Sequence, residues 1–297
     1  MPNTCLSQIM PIFAHNSFTI KPLKIMKTHR LFATLACCVV FMLSGNTSLF
    51  AAPTQPNTTI VSDDQTPAEQ AAIAEDYYFG QNGRQKNFEE CVKWATLAAE
   101  RKNAQAQYRL GVCYYLGQGV TQDFGTAFSW LEKAAKQNHV EALGLLGLCY
   151  ENGKGIKQDY AKAIKYYKKA AQKGNFTAQY NLANCYYTGR GVKIDYNQAA
   201  TWFRKSAEQG FARAQVSLGI CYEMGRGVPQ SNSEAALWYD KAAQQHNAQG
   251  CYRLGLCYEK GLGVEQNRDK AIALYRAAAQ AGVTEAKDRL AELGVSE

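Results

Sequence analysis

The sequence predicts an all-α chain, an α/α superhelical solenoid of antiparallel helix pairs. Three observations predict it. First, one phrase recurs five times at an invariant interval of 36 residues: LGVCYYLGQGV from Leu110, LGLCYENGKGI from Leu146, LANCYYTGRGV from Leu182, LGICYEMGRGV from Leu218 and LGLCYEKGLGV from Leu254. Self-similarity at that period marks an array whose units bury their apolar faces on one another. Second, the apolar residues within a unit follow helical spacing. Third, every unit is punctuated by the same pair of glycines, the signature of a helix end and a sharp turn.

With Ala106 as position 1, later units begin at Ala142, Ala178, Ala214 and Gly250. Apolar or small residues at positions 1, 5, 8, 9 and 12 define one face of a first helix, A, about eleven residues long. The phrase Gly117, Gly119, Val120 and its copies cap and turn the chain. Asp123, Asp159, Asp195, Ser231 and Asn267 then stand where a second helix needs its N-cap, and the exchange among Asp, Ser and Asn keeps to the capping set. Helix B carries Ala at position 22 (Ala127, Ala163, Ala199, Ala235, Ala271), bulky residues at 25 and 26, and small residues at 29 and 30. Small residues let A and B approach closely while the aromatics fill the space to the next unit.

Upstream, Phe88, Cys91, Trp94 and Ala98 align 36 residues before Phe124, Ala127, Trp130 and Ala134. The expected array therefore spans 68–297: a degenerate first repeat at 68–105, five full repeats at 106–285 and a capping helix at 286–297. Before it, Lys27, His29 and Arg30 precede the apolar run Leu31 to Leu43, and small and polar residues follow to Ala52. That is the layout of a secretory signal. The expectation is a signal at 26–52 read from Met26, an aperiodic extension at 1–25 and a flexible polar linker at 53–67. The chain should be exported, to the periplasm or beyond the cell, with no stable membrane span once the signal is cut.

The formal net charge is +8, yet the first 52 residues hold four Lys and Arg and no acid. The remaining +4 is spread thinly, which argues against a nucleic-acid partner.

The pattern Ala, three residues, LG, two residues, Tyr, two residues, GxGV, a capping Asp, and then a stretch such as KAIKYYKKAA (Lys162 to Ala171) resembles the Sel-1-like repeat, a relative of the tetratricopeptide repeat. The resemblance covers about 68–297. It implies a superhelix that offers a concave groove to protein ligands, in families of adaptors that in bacteria are often envelope or exported proteins.

Cys113, Cys149, Cys185, Cys221 and Cys257 all occupy position 8, on the inward stripe. Equivalent helices of stacked units stand about 8–10 Å apart, beyond the roughly 7 Å between Cα atoms that a disulfide allows. The ladder is therefore expected to be core. A metal is not expected, because only His139 and His246 follow residue 52 and neither repeats with a Cys. Cys91 and Cys113 are the one pair for which a disulfide is considered. Some secreted members of the resembled family pair a Cys after the KA of helix B with one opening the next helix A. Here Cys251 matches the second position and Ala243 the first, so that pair is broken.

That Cys-rich class has been associated with penicillin-binding or β-lactamase-like activity, which sets the competing expectation: a secreted hydrolase or a binder of peptidoglycan fragments. The residues argue against it. No Ser is followed three positions later by Lys, and HExxH, a Walker loop and GxSxG are all missing. No catalytic residue and no cofactor are expected.

By analogy with tetratricopeptide arrays, helix A positions 3, 7, 10 and 11 would line the groove. They vary between units where the core does not. Tyr108, Tyr180 and Tyr252 stand at position 3, and Tyr115, Glu151, Tyr187, Glu223 and Glu259 at position 10. Tyr suits recognition by joining contact area to a polar tip. These eight residues are the candidate protein-binding set of a monomeric scaffold for a protein or peptide, from the envelope or a host; the alternative is that the tyrosines pack between units. Lys133, Lys169, Lys205 and Lys241 at position 28 read as an outer, solvated face.

Overall fold

The computed structural model describes residues 65–295. The expectations placed on the extension, the signal and most of the linker lie outside the described residues.

Thirteen α-helices and no strand are found among the described residues: α1 (Pro67–Phe79), α2 (Phe88–Glu100), α3 (Ala104–Leu116), α4 (Phe124–Lys136), α5 (Val140–Asn152), α6 (Tyr160–Gln172), α7 (Phe176–Thr188), α8 (Tyr196–Glu208), α9 (Ala212–Met224), α10 (Asn232–Ala243), α11 (Ala248–Lys260), α12 (Arg268–Gln280) and α13 (Thr284–Glu292). Odd-numbered helices are A and even-numbered helices are B. Each helix packs on the next in sequence, and next-but-one contacts join A helices, α1 to α3, α5 to α7 and α9 to α11. Closer spacing places the A layer on the inside of the solenoid.

The helix ends follow from side chains at fixed positions. The B helices start at Asp123, Asp159, Asp195, Ser231 and Asn267, whose side chains accept backbone N–H bonds from the first turn. The A helices start two residues earlier than the apolar spacing suggests. Asn103, Asn175 and Asn247 cap them, and His139 does the same through Nδ1. Each A helix of a full repeat ends on a left-handed Gly whose N–H bonds the carbonyl of the position-8 Cys.

The second glycine of each turn binds units together. Gly155 has φ +72°, and a Cβ there would run into the Phe124 carbonyl at the start of the preceding helix B; Gly227 stands in the same relation to Tyr196 and Gly263 to Asn232. Only a residue without Cβ satisfies both the dihedral and the contact. Within a unit, position 6 of helix A faces position 26 of helix B. A Cβ on Gly147 would meet the Tyr167 ring at 2.5 Å, and Gly219 and Gly255 face Tyr239 and Tyr275 in the same way. A helical Gly costs about 1 kcal/mol against Ala, and burial of the whole ring, worth about 1.5–3 kcal/mol, offsets it.

All of the position-8 cysteines are buried as free thiols. Burial pushes the Cys185 thiol up to about 12 and those of Cys221 and Cys257 to about 11. Such groups stay protonated and behave as small apolar residues.

Candidate functional site

Position 10 of helix A, expected to point free acids into the groove, is engaged from within. The Tyr167 hydroxyl donates to Glu151 Oε2 at 2.5 Å and the Tyr275 hydroxyl to Glu259 Oε2 at 2.6 Å; Tyr239 donates to Glu223 in the same geometry. The following unit then supplies a cation. Arg190 lies 3.5 Å from Glu151, Arg253 donates to Glu223 at 3.3 Å, and Arg289 grips both oxygens of Glu259, one through Nε at 2.9 Å. Arg289 holds the Glu259 carboxyl below the usual range, and the Tyr275 bond adds to this. Burial first, and then the bond to its glutamate, drives the Tyr239 and Tyr275 hydroxyls up. These acids are therefore joints between helices and between repeats.

Where position 10 is Tyr, position 26 cannot donate: Tyr115 accompanies Leu131 and Tyr187 accompanies Phe203. Tyr115 is buried, with its ring edge-on to Phe124 at 5.1 Å, and Tyr108 is buried against His139 in a stack of 4.7 Å. For these two residues the groove expectation is corrected, because each ring fills the space beside the next element. Tyr180 packs on Phe211 and Phe203, and Tyr252 on Tyr275, with both rings half-buried. Tyr187 keeps its polar tip at the surface, where its oxygen accepts from Arg226 Nη1 at 2.6 Å.

What helix A leaves partly in solvent lies at positions 4, 7 and 11, Arg253 included although it also bonds Glu223. Across units 3 to 5 these are Asn181, Asn184 and Thr188, then Ser217, Ile220 and Met224, then Arg253, Leu256 and Lys260, all half-buried or exposed. Met224 is 50% exposed, and Leu262, in the turn of the next unit, is 36% exposed. Met224 Sδ accepts from the Tyr187 hydroxyl at 3.9 Å, and Ile220 and Leu256 pack by one side against the core, so these residues divide their surface between the fold and solvent.

Position 2 carries a second joint that the sequence did not announce. Gln107, Gln179 and Gln215 are buried and donate to the carbonyls of Ala99, Ala171 and Ala207 at the end of the preceding helix B. Each also accepts from a position-32 glutamine, Gln137, Gln209 or Gln245, at 2.7–2.9 Å. The only readable signal was that the two glutamines come and go together: positions 2 and 32 hold Leu143 and Lys173 in unit 2, and Cys251 and Ala281 in unit 5. Cys251 directs its thiol to the Ala243 carbonyl at 4.0 Å. The same three units carry Trp at position 25, with Lys133 over Trp130 at 3.6 Å, Lys205 over Trp202 at 4.2 Å and Lys241 over Trp238 at 3.9 Å. Three of the four position-28 lysines are thus stacked on indoles. A cleft of about 630 Å³ opens beside the first stack, lined by Lys102, Gln107, Trp130, Lys133, Lys136 and Gln137 among others.

Among the described residues no group of three His, Cys, Asp or Glu side chains is placed to hold a metal ion, and no helix is long and apolar enough to cross a membrane.

The Sel1 repeat family matches residues 70–103, 104–139, 140–175, 177–211, 212–247 and 248–283 in succession, so the degenerate first unit counts as a sixth copy. Several solved structures are similar, among them two above 30% identity. A protective antigen of uropathogenic Escherichia coli with an SLR fold is 38% identical with a TM-score of 0.68, over 76% of this chain and 49% of that one. A Sel1 repeat protein from Oxalobacter formigenes is 33% identical with a TM-score of 0.69, over 77% and 66%. The match thus spans about half of the first relative and just under two thirds of the second. Among curated proteins there is no match.

Proposed function

The chain belongs to the Sel1 repeat family, whose repeats form protein-interaction scaffolds, and we propose that it is an exported scaffold that holds a protein or peptide segment along the inner face of its A helices. The observation that carries this reading is the contrast on that face. Positions 1, 5 and 8 repeat almost without change and are buried, whereas positions 4, 7 and 11 differ in every unit from 3 to 5 and include the exposed Met224. A surface that varies from unit to unit, yet keeps large apolar residues partly in solvent, has the make-up of a recognition patch. Tyr187, with its hydroxyl at the rim, and Glu223, the most exposed of the three acids with a side chain 40% accessible, join it from the expected set. Export rests on the basic and apolar layout of residues 27–52. The partner is then an envelope or host protein.

The test compares capture by the wild-type chain with capture by an Ile220→Lys, Met224→Lys variant, using cross-linking in an envelope extract and mass spectrometry. Circular dichroism verifies that the variant is folded. A partner captured by the wild type and lost from the variant supports the reading. A partner retained equally by the folded variant overturns it, as does turnover of a chromogenic β-lactam well above background.

A further inference from the structure

Position 22 of helix B is Ala in all five full repeats and Cys only in the first unit, at Cys91. Its neighbours are fixed by the repeat. Ala199 shares a core with Cys221, and Ala235 shares one with Cys257, so position 22 of these units and the position-8 cysteine of the next lie in one packed cluster. In the first unit alone, that geometry puts thiol against thiol. Cys91 and Cys113 are both fully buried, on the adjacent helices α2 and α3. A hydrogen bond to the Cys113 sulfur, together with burial, drives the Cys91 thiol far up. In every later unit position 22 is Ala, so no second cysteine stands at that place, and Cys251 is turned to the Ala243 carbonyl.

We propose that Cys91 and Cys113 form a disulfide that staples α2 to α3 and fastens the first repeat to the array. The two thiols become one S–S bond. Two electrons and two protons pass to a disulfide-bearing oxidant of the glutathione or dithiol-oxidase class, which is released as two thiols. Buried sulfurs react when the site opens, and the end of a linear array opens most readily, the first unit having a neighbouring repeat on one side only among the described residues. The same asymmetry explains why a staple is useful here and redundant further in: among the described residues no repeat precedes α1 and α2. The proposal stands independently of the groove.

The experiment refolds the full chain with oxidised glutathione, blocks free thiols under denaturing conditions and maps the peptides. The expected result is a Cys91–Cys113 linked pair two hydrogens lighter than the dithiol, with the remaining described cysteines alkylated. Reduction should then speed hydrogen exchange in α1 and α2 by roughly tenfold or more and leave α9 to α12 unchanged. Cys91→Ala, which installs the residue of every other unit, should fold and lose that sensitivity to reduction. Alkylation of both cysteines after oxidation, linkage of either to a different cysteine, or exchange in α1 and α2 that ignores reduction would each overturn the proposal.

Discussion

The hydroxyl of Tyr167 donates to the carboxylate of Glu151 at 2.5 Å, and the two residues change together along the chain. Units 2, 4 and 5 pair Glu at position 10 with Tyr at position 26, whereas units 1 and 3 pair Tyr with Leu or Phe. The arginine of the following unit is served in either case: Arg190 meets Glu151, and Arg226 meets the Tyr187 hydroxyl. A buried donor and a buried acceptor are costly apart and cheap together, which is why they are exchanged as a set.

Removal of one partner should therefore cost more than exchange of both. Tyr167→Phe is expected to destabilise by about 1–3 kcal/mol. The double change Glu151→Tyr with Tyr167→Phe copies unit 3 and should cost less than the two single changes added together. Urea unfolding of the four proteins, read as a double-mutant cycle, checks it.

His139 should make the protein sensitive to mild acid. It caps α5 as a neutral ring, with Nδ1 accepting from Ala142 and Nε2 3 Å or less from the Gln105 amide oxygen, at 2.8 Å. Burial lowers its proton affinity, with Glu141 and Glu75 opposing and Arg109 reinforcing. A folded value below the unfolded one of about 6.5 means that this stability is complete above pH 6.5 and declines as pH falls through that range. His139→Asn, the cap used by three other A helices, should abolish the decline. Melting temperatures at pH 7.5 and 5.5 for both proteins decide it.

The joint in the last unit should respond at both extremes of pH. Glu259, held low by Arg289, contributes above the normal Glu range near 4.3 and loses that contribution as pH falls. Tyr275, driven up by burial and by Glu259, contributes below about pH 10 and loses it as pH rises. Tyr275→Phe should flatten the alkaline limb of a melting-temperature profile and keep most of the acid limb, which rests first on Arg289. Glu259→Gln should flatten the acid limb.

Two glycine substitutions separate packing from backbone strain. Gly147→Ala gains about 1 kcal/mol of helix propensity but pushes a methyl into the Tyr167 ring, so a net loss of about 1–3 kcal/mol is expected. Gly174→Ala, at φ +92° with open space around it, should lose only the left-handed penalty of about 1–2 kcal/mol. Gly155→Ala meets both obstacles and should be the worst of the three. Denaturant midpoints rank them.

Much of this was legible in the sequence because the repeat reports each position several times. The N-caps at Asp123, Asp159, Asp195, Ser231 and Asn267 could be read from their side-chain chemistry, and the turn glycines from their spacing. The position-8 cysteines could be assigned to the core from the stripe they share. The starts of the A helices could not be placed, because Asn103 and its copies lie outside the apolar period. The acids at position 10 misled for a different reason: variation from unit to unit looks the same whether a residue answers to a ligand or to a partner that varies with it.

The sequence by itself determined the period, the helix pairs, the turns and the identity of the core, since these depend on contacts within about one unit and recur in every copy. Only the tertiary structure decided which variable residues are spoken for. Tyr108, Tyr115, Glu151, Glu259 and the glutamines at position 2 are held by partners 8 to 39 residues away, outside their own helices, which the spacing within one helix cannot reveal. The apolar surface that stays in solvent, at Met224 above all, became visible only once those bonds were in place.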